Sequence, residues 1–252
     1  MSAGTTAGPP QGTPPLTHSD GVARLLGHAD DNMVIAQRLS EWISNAPELE
    51  IDIAFGNLAL DFLGVARAVY TYAGELEGKG RGEDDLAMGR NEREYLNLLL
   101  VEQPNGDFAY TMMRQLFFDA YQAELWADLR EGDDERLAGI ASTAAKEAAY
   151  HLRFSSGWVT RLGDGTEESH RRVQAAAHDL WRFTGEMFEG ETAAYRAGWE
   201  STIGRVFAEA TLEIPTDPYQ RTGGRLGFHT EHLGHLLTEM QWMQRAYPGL
   251  EW

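Results

Sequence analysis

The feature that most constrains the fold is a pair of seven-residue repeats that each run through a long segment. In both, the repeating residues are spaced alternately four and three apart, which lines one face of a helix that packs into a left-handed bundle. The first repeat comprises Ile51, Phe55, Leu58, Phe62, Val65, Val69, Tyr72 and Leu76. The second, with smaller residues that allow a neighbour close approach, comprises Leu137, Ala141, Ala144, Ala148, His151, Ser155, Trp158 and Leu162. Strand alternation is weak throughout, so the sequence predicts an all-α fold built around two core helices.

Helical periodicity predicts eight helices, separated by turns rich in Gly, Pro, Asn and Asp. They cover residues 20–45, 48–77, 84–102, 107–131, 133–162, 167–188, 192–212 and 228–246. Asp107 follows a Pro-Asn-Gly turn and should cap the helix after it. Residues 1–19, rich in Gly, Pro and Thr, are predicted to be a disordered tail, and residues 20–252 a single helical domain.

Charge and composition exclude several classes of function. The formal net charge is −18, from 21 basic and 39 acidic residues, which argues against nucleic acid and against an anionic membrane surface. The chain has no cysteine, so disulfides, thiolate zinc sites and iron–sulfur ligation are excluded. Because it also has neither an apolar run of membrane-spanning length nor the apolar core of a signal peptide, we expect a cytoplasmic protein.

The two core helices carry carboxylates at positions where a related bundle would bind metal. Four-helix carboxylate bundles hold two metals with a Glu from each of two helices and a Glu-x-x-His from each of the other two. Here Asp61 is followed three residues later by Gly64, and Glu147 by Tyr150, so neither pair supplies an imidazole. With His151, these residues predict a vestigial metal-site region, closed by hydrogen bonds among a buried Glu, Tyr and His.

A metal held by Asp61, Glu147 and His151 remains the alternative, because Glu and His four residues apart also share a helix face. A two-metal version would add Glu41 or Glu124. The other acids of the first and fourth helices, Asp31 and Asp119 among them, are equally well explained as capping or solvated residues.

A histidine-rich segment near the C-terminus is the second candidate site. His229, His232, His235 and Glu231 are spaced so that a divalent metal could lie on one helix face. A polar helix start serves capping and interface hydrogen bonds more often, and we favour that interpretation.

Two arginines and several glycines precede this segment, an arrangement that would suit a phosphate group. The phosphate-loop spacing is absent, so a surface loop at a subunit interface is the better prediction. The candidate interface or coenzyme-contact residues are Arg221, Arg225, His229, Glu231 and His232.

Five ordered stretches together resemble the C component of the bacterial phenylacetyl-CoA epoxidases. They are residues 48–53, 98–106, 146–155, 180–183 and 229–234, and the resemblance extends from about residue 22 to Trp252. It implies a ferritin-like four-helix bundle with additional helices, in a multicomponent monooxygenase that epoxidises the aromatic ring of phenylacetyl-CoA during aerobic phenylacetate breakdown.

The resemblance also implies a division of labour within the complex. A homologous catalytic subunit, the A component, would carry the di-iron centre. The small B component would bridge, and a flavin and iron–sulfur reductase would deliver electrons. This chain would then be a structural, non-catalytic subunit with no cofactor of its own, in a hetero-oligomer. A di-iron enzyme with an atypical ligand set is the runner-up. A helical module that binds an anion or acyl-coenzyme A through the loop from Arg221 to Gly227 is the third hypothesis.

Overall fold

Residues 18–249 are described by the computed structural model, and within them the chain forms nine α-helices and no strand. The helices are α1 (His18–Ser40), α2 (Leu49–Glu77), α3 (Glu83–Met88), α4 (Phe108–Leu129), α5 (Glu135–Gly163), α6 (Glu167–Trp181), α7 (Arg196–Glu209), α8 (Glu231–Met240) and α9 (Trp242–Ala246). The all-α prediction is confirmed. The predicted tail lies outside the described residues up to position 17, and α1 already begins at His18.

The two predicted core helices form where the repeats place them. Along α2 the first six positions of the repeat are buried, whereas Tyr72 and Leu76 are only partly buried. A straight helix has 3.6 residues per turn, so a seven-residue repeat drifts around it, and Tyr70 and Ala73 take over the inward positions. The α2 helix ends at Gly78, whose φ of 68° is the left-handed conformation that favours glycine.

Caps fix the starts of the two helices on the other side of the bundle. The Asp107 side chain accepts a hydrogen bond from the Tyr110 amide at 2.9 Å, as predicted, and so begins α4. The Asp134 side chain does the same for the Leu137 amide at 3.0 Å and begins α5. Each cap satisfies a backbone N–H group that has no partner inside its helix.

The four long helices pack as a bundle. The α1 helix lies along α2, α4 lies along α5, and α2 also contacts α5, while α6 and α7 cover α4. This cover makes α4 so enclosed that even Arg114, Gln115 and Asp119 are fully buried. Across the bundle, the rings of Phe62 and Phe118 lie 5.9 Å apart. The interior between α2, α4 and α5 is therefore mainly apolar and aromatic, apart from a few polar side chains.

The predicted helix over 84–102 is wrong beyond Met88. The apolar run 98–101 is buried, but it forms turns instead of a helix. Its amides are satisfied by side chains far away in the sequence, since Leu98 N donates to Asp31 at 2.7 Å and Leu99 N donates to Glu186 at 2.7 Å. A short apolar run buried in this way has the same periodicity as a helix.

Several predicted helix ends are also wrong. The first helix ends at Ser40 instead of 45, and α6 ends at Trp181 instead of 188. The predicted helix over 192–212 is α7 with a short 3-10 turn (Gly190–Tyr195) before it, and the one over 228–246 is divided at Gln241 into α8 and α9. None of the helices within residues 18–249 combines the length and apolar character that crossing a bilayer requires.

Candidate functional site

The bundle interior brings together two of the predicted site residues directly. His151 Nε2 donates to Asp61 Oδ2 at 3.1 Å, which links α5 to α2. The imidazole is buried and lies 4.5 Å from the Phe62 ring centre. Burial lowers the pKa of His151, and the neighbouring Asp61 carboxylate only partly opposes this effect. At neutral pH the pair is therefore a neutral imidazole bonded to a half-exposed carboxylate.

Glu147 lies one turn before His151 and is half-buried at the edge of the same cluster. Its Oε2 atom is buried without a hydrogen-bond partner. Burial, with a smaller contribution from the charge of Asp61, raises the pKa of Glu147 to about 7. The carboxyl group is thus protonated in part of the molecules at neutral pH, when it is a poor ligand for a cation.

The third carboxylate, Asp119 on α4, is fully buried and belongs to a separate network. It accepts hydrogen bonds from Ser155 Oγ and from Gln115 Nε2, both at 2.7 Å. Burial raises its pKa to about 7, because these two neutral donors offset the loss of hydration only in part. The expectation that Asp119 is a capping or solvated residue is therefore wrong.

The remaining members of the predicted network point away from the interior. Tyr150 is 43% exposed and makes no hydrogen bond to Glu147, and Gly64 lies on the outer surface of α2. The expected bond between a buried Glu and a buried Tyr is therefore wrong. The bond between Asp61 and His151 closes the interior instead.

These donors do not fit a di-iron centre. A centre of that kind needs two carboxylate–histidine pairs at i and i+3 that converge with two further carboxylates. At the i+3 positions the chain has an exposed glycine and an exposed tyrosine, and no group of three or more His, Asp or Glu side chains within residues 18–249 is arranged to hold a metal ion.

The acids proposed as additional ligands are dispersed. Glu41 pairs with Arg38 at 2.7 Å at the surface, and Glu124 lies against Gly198 of α7. Asp31 is fully buried and pairs with Arg225 at 2.6 Å, so it is neither a cap nor solvated.

In the histidine-rich segment, His229 binds groups within the chain. His229 Nδ1 lies 2.9 Å from Glu102 Oε2, and its Nε2 lies 2.8 Å from the Tyr95 carbonyl oxygen. Both partners are acceptors, so the ring carries a proton on each nitrogen. Burial alone would lower the pKa of His229, but the bond and charge of Glu102 raise it overall. His232 and exposed His235 do not converge with it on a common centre.

Arg225 is likewise bound internally. Besides its pair with Asp31, it donates to the Leu96 carbonyl oxygen at 2.8 Å. Arg221 and Glu231, in contrast, are exposed and border an open groove of about 830 Å³ with His232. Of the predicted contact residues, these three are accessible to another molecule, and their role in an interface or a coenzyme contact stays a prediction.

Sequence reasoning missed the carboxylates that hold this end of the molecule together. Glu186, buried after α6, accepts from the amides of Leu99, Gly223 and Gly224 at 2.6–2.8 Å. The local signal that could have identified Glu186 is an acidic residue within an apolar stretch, since acids are rarely buried without partners. Its partners lie about 40 to 90 residues away in the chain, and no local pattern specifies them.

The chain is similar to a known protein family and to a known protein over most of its length. The family model described as phenylacetic acid catabolic protein matches residues 6–252. A protein of Escherichia coli (strain K12), named as the C component of 1,2-phenylacetyl-CoA epoxidase, is 49% identical over 244 residues, which cover 91% of this chain and 98% of that protein. The similarity thus spans every helix of the bundle.

Proposed function

The chain belongs to the phenylacetic acid catabolic protein family, and from this premise we propose that it is a structural, non-catalytic subunit of a phenylacetyl-CoA epoxidase complex. Its partners would be a homologous catalytic subunit that holds the di-iron centre, a small bridging subunit, and a flavin and iron–sulfur reductase. The supporting comparison is the 49% identity to the Escherichia coli C component, which covers nearly the full length of both chains.

The observation that carries the non-catalytic part is the donor geometry of the bundle interior. His151 is hydrogen-bonded to Asp61, and the Asp119 carboxylate on α4 accepts hydrogen bonds from Ser155 and Gln115. Glu147 and Asp119 have pKa values of about 7, well above those of carboxylates that bind a cation. These side chains stabilise the helices against one another instead of presenting ligands.

Such a subunit would act by keeping its own structure rigid. Helices fixed by internal hydrogen bonds and by an apolar, aromatic core offer a rigid surface to a partner. A partner docked on that surface keeps its ligands and its substrate channel in their working geometry, and small displacements of such groups are costly to catalysis. The contribution to the reaction is preorganisation of the catalytic partner.

Co-expression with the catalytic subunit, followed by separation of the two proteins and metal analysis, tests this proposal. We expect a stable complex, about two irons per catalytic subunit, and iron well below one equivalent on this chain. About two irons on this chain after aerobic purification would refute the non-catalytic role. Binding no tighter than that of an unrelated protein of equal negative charge would refute the structural role.

A further inference from the structure

One face of α2 exposes apolar side chains in a continuous line. Leu49, Ile53 and Leu60 are 70%, 56% and 66% exposed. Together with Gly56 and Gly64 they are spaced four, three, four and four residues apart, so they lie along one face of the helix. We call these five residues the α2 strip; it is roughly 22 Å long at the rise of an α-helix.

The α2 strip has no charged residue, although the chain as a whole carries a net charge of −18. At Gly56 and Gly64 a Cβ atom would meet nothing within 4 Å, so both lie open to an approaching molecule. Beside the strip runs an open groove of about 420 Å³ between α1 and α2, which Ile43 and Leu63 help to line. A helix face with exposed apolar and small residues is one on which a second helix can pack closely.

The outer faces of other helices are different. Exposed Glu168 on α6 is paired with Arg171 and Arg172, and Glu209 on α7 is paired with Arg205. Those faces resemble ordinary solvated surface, with oppositely charged side chains at helical spacing. The five residues of the α2 strip make no such pairs, although Arg67 farther along α2 pairs with Glu83. An exposed apolar strip of this kind suits contact with another protein.

Two exposed acids, Glu48 and Glu50, border the N-terminal end of the strip, and neither makes an ion pair within residues 18–249. Their place at the helix start suits the helix dipole, an effect worth a few tenths of a kcal/mol. Next to an apolar strip they also define what the covering surface must offer: an uncharged centre, with basic side chains at one end.

We propose that the α2 strip is the docking face for the homologous catalytic subunit, which would present an uncharged helix face with Lys or Arg opposite Glu48 and Glu50. This inference rests on the proposed function and adds the location of the interface. A second copy of this chain fits less well, because it would bring its own net charge of −18 to the same contact. Docking there would also cover Asp61, which follows Leu60 and is half-exposed.

The test compares two apolar-to-glutamate variants of the full-length chain in a binding titration against the catalytic subunit. Leu60→Glu places a charge at the centre of the strip. Ile214→Glu is the matched control, since Ile214 is 50% exposed in the segment after α7, outside both the strip and the loop from Arg221 to Gly227. We expect Leu60→Glu to weaken binding by at least about tenfold and Ile214→Glu to leave it within about twofold, with both variants retaining the helical signal and melting temperature of the wild type.

A charge-reversal pair tests the acidic end of the strip. Glu48→Lys should slow association several-fold at low salt, and the difference should shrink at high salt. Glu239→Lys changes an exposed acid of α8, on a different surface, and should have little effect.

The possible failures are distinguishable. If the wild-type chain does not bind the catalytic subunit, the proposed function falls. If the wild type binds and Leu60→Glu binds equally well, or if Ile214→Glu is the variant that loses binding, only the docking face is refuted. Sedimentation of the isolated chain adds a further outcome: a homodimer that Leu60→Glu splits, with binding to the catalytic partner unchanged, would assign the strip to a second copy and overturn the proposal.

Discussion

Replacing Asp119 by asparagine changes the ionisation of the bundle interior with almost no change of shape. The carboxylate accepts from Ser155 Oγ and Gln115 Nε2, and Gln115 Oε1 is buried without a partner. In the variant, the amide oxygen can accept from Ser155. The new NH₂ group can donate to Gln115 once the glutamine amide rotates by a half turn. The substitution therefore removes a buried ionisable group, while the rotated Gln115 amide has an unpartnered nitrogen in place of its unpartnered oxygen.

The expected effect on stability depends on pH, with a sign set by the raised pKa. Burial raises the pKa of Asp119 from 3.8 to about 7. Between pH 4 and 7 the unfolded chain has lost this proton and the folded chain retains it, so the free energy of unfolding falls as pH rises. The loss from Asp119 between pH 5 and 8 is about 3 kcal/mol. Asp119→Asn has no ionisable group at this position and does not show this loss. Its free energy of unfolding should therefore rise by about 3 kcal/mol relative to that of the wild type between pH 5 and 8.

Chemical denaturation of the wild type and of Asp119→Asn from pH 5 to 8.5 measures this difference. Subtracting the two curves removes groups common to both chains, including Asp31, whose pKa burial raises to about 6. Asp179→Asn, an exposed substitution on α6, is the control and should follow the wild type. If the difference in the free energy of unfolding between Asp119→Asn and the wild type is constant across the pH range, this reasoning is refuted. A difference that changes in the opposite direction, with the variant losing stability relative to the wild type as pH rises, would mean that the folded chain stabilises the ionised carboxylate, and would contradict the proposed function as well.

Three further substitutions test the ties described above. Arg225→Met leaves Asp31 buried without its ion-pair partner and should lower the free energy of unfolding by about 3–5 kcal/mol, measured by denaturation at pH 7. Adding Asp31→Asn should recover part of this loss, and no recovery would contradict the pairing. Asp61→Ala removes the acceptor of the 3.1 Å bond to histidine and should cost about 1–2 kcal/mol while turnover per assembled complex is unchanged; lost turnover with intact folding and assembly would argue against a structural role. The raised pKa of His229 stabilises the fold at low pH, and this contribution disappears as pH rises through that pKa. His229→Gln should therefore lower the melting temperature more at pH 6 than at pH 9, and equal losses would show that the bond to Glu102 carries no charge.

The core helices could be predicted because their information is local. Residues four and three apart share a helix face, and in α2 and α5 such faces run for many turns. The same logic correctly placed His151 inward, because it continues the line of Ala144 and Ala148. It failed for Tyr150, since i+3 from Glu147 is one position short of that line and points outward. The i and i+3 rule for a metal pair presupposes that both positions face the interior, which the repeat itself rules out here.

The stretch between α3 and α4 could not be predicted, because side chains far away in the sequence accept its backbone hydrogen bonds. The amides of Leu96 and Leu98 donate to Asp30 and Asp31 on α1, across 66 and 67 residues. Helix propensity and apolar periodicity describe neighbours in the chain and contain no term for such a contact. Once a carboxylate accepts the amide, a buried non-helical run costs no more than a helix of the same length.

Two of the buried acids in the described part of the chain share one use, and that use bears on function. Asp31 and Glu186 accept backbone amides from separate segments, and Arg225 neutralises Asp31 while holding a carbonyl of the same region. Each acid thereby fixes the position of chain that has no regular structure of its own, which favours a single rigid shape over a reactive centre. Rigidity matters to a partner only where the two surfaces meet, and the α2 strip offers exposed leucine and isoleucine with no charged residue among its five members. A fold stabilised from within and apolar along one outer helix is physically suited to be the supporting half of an interface.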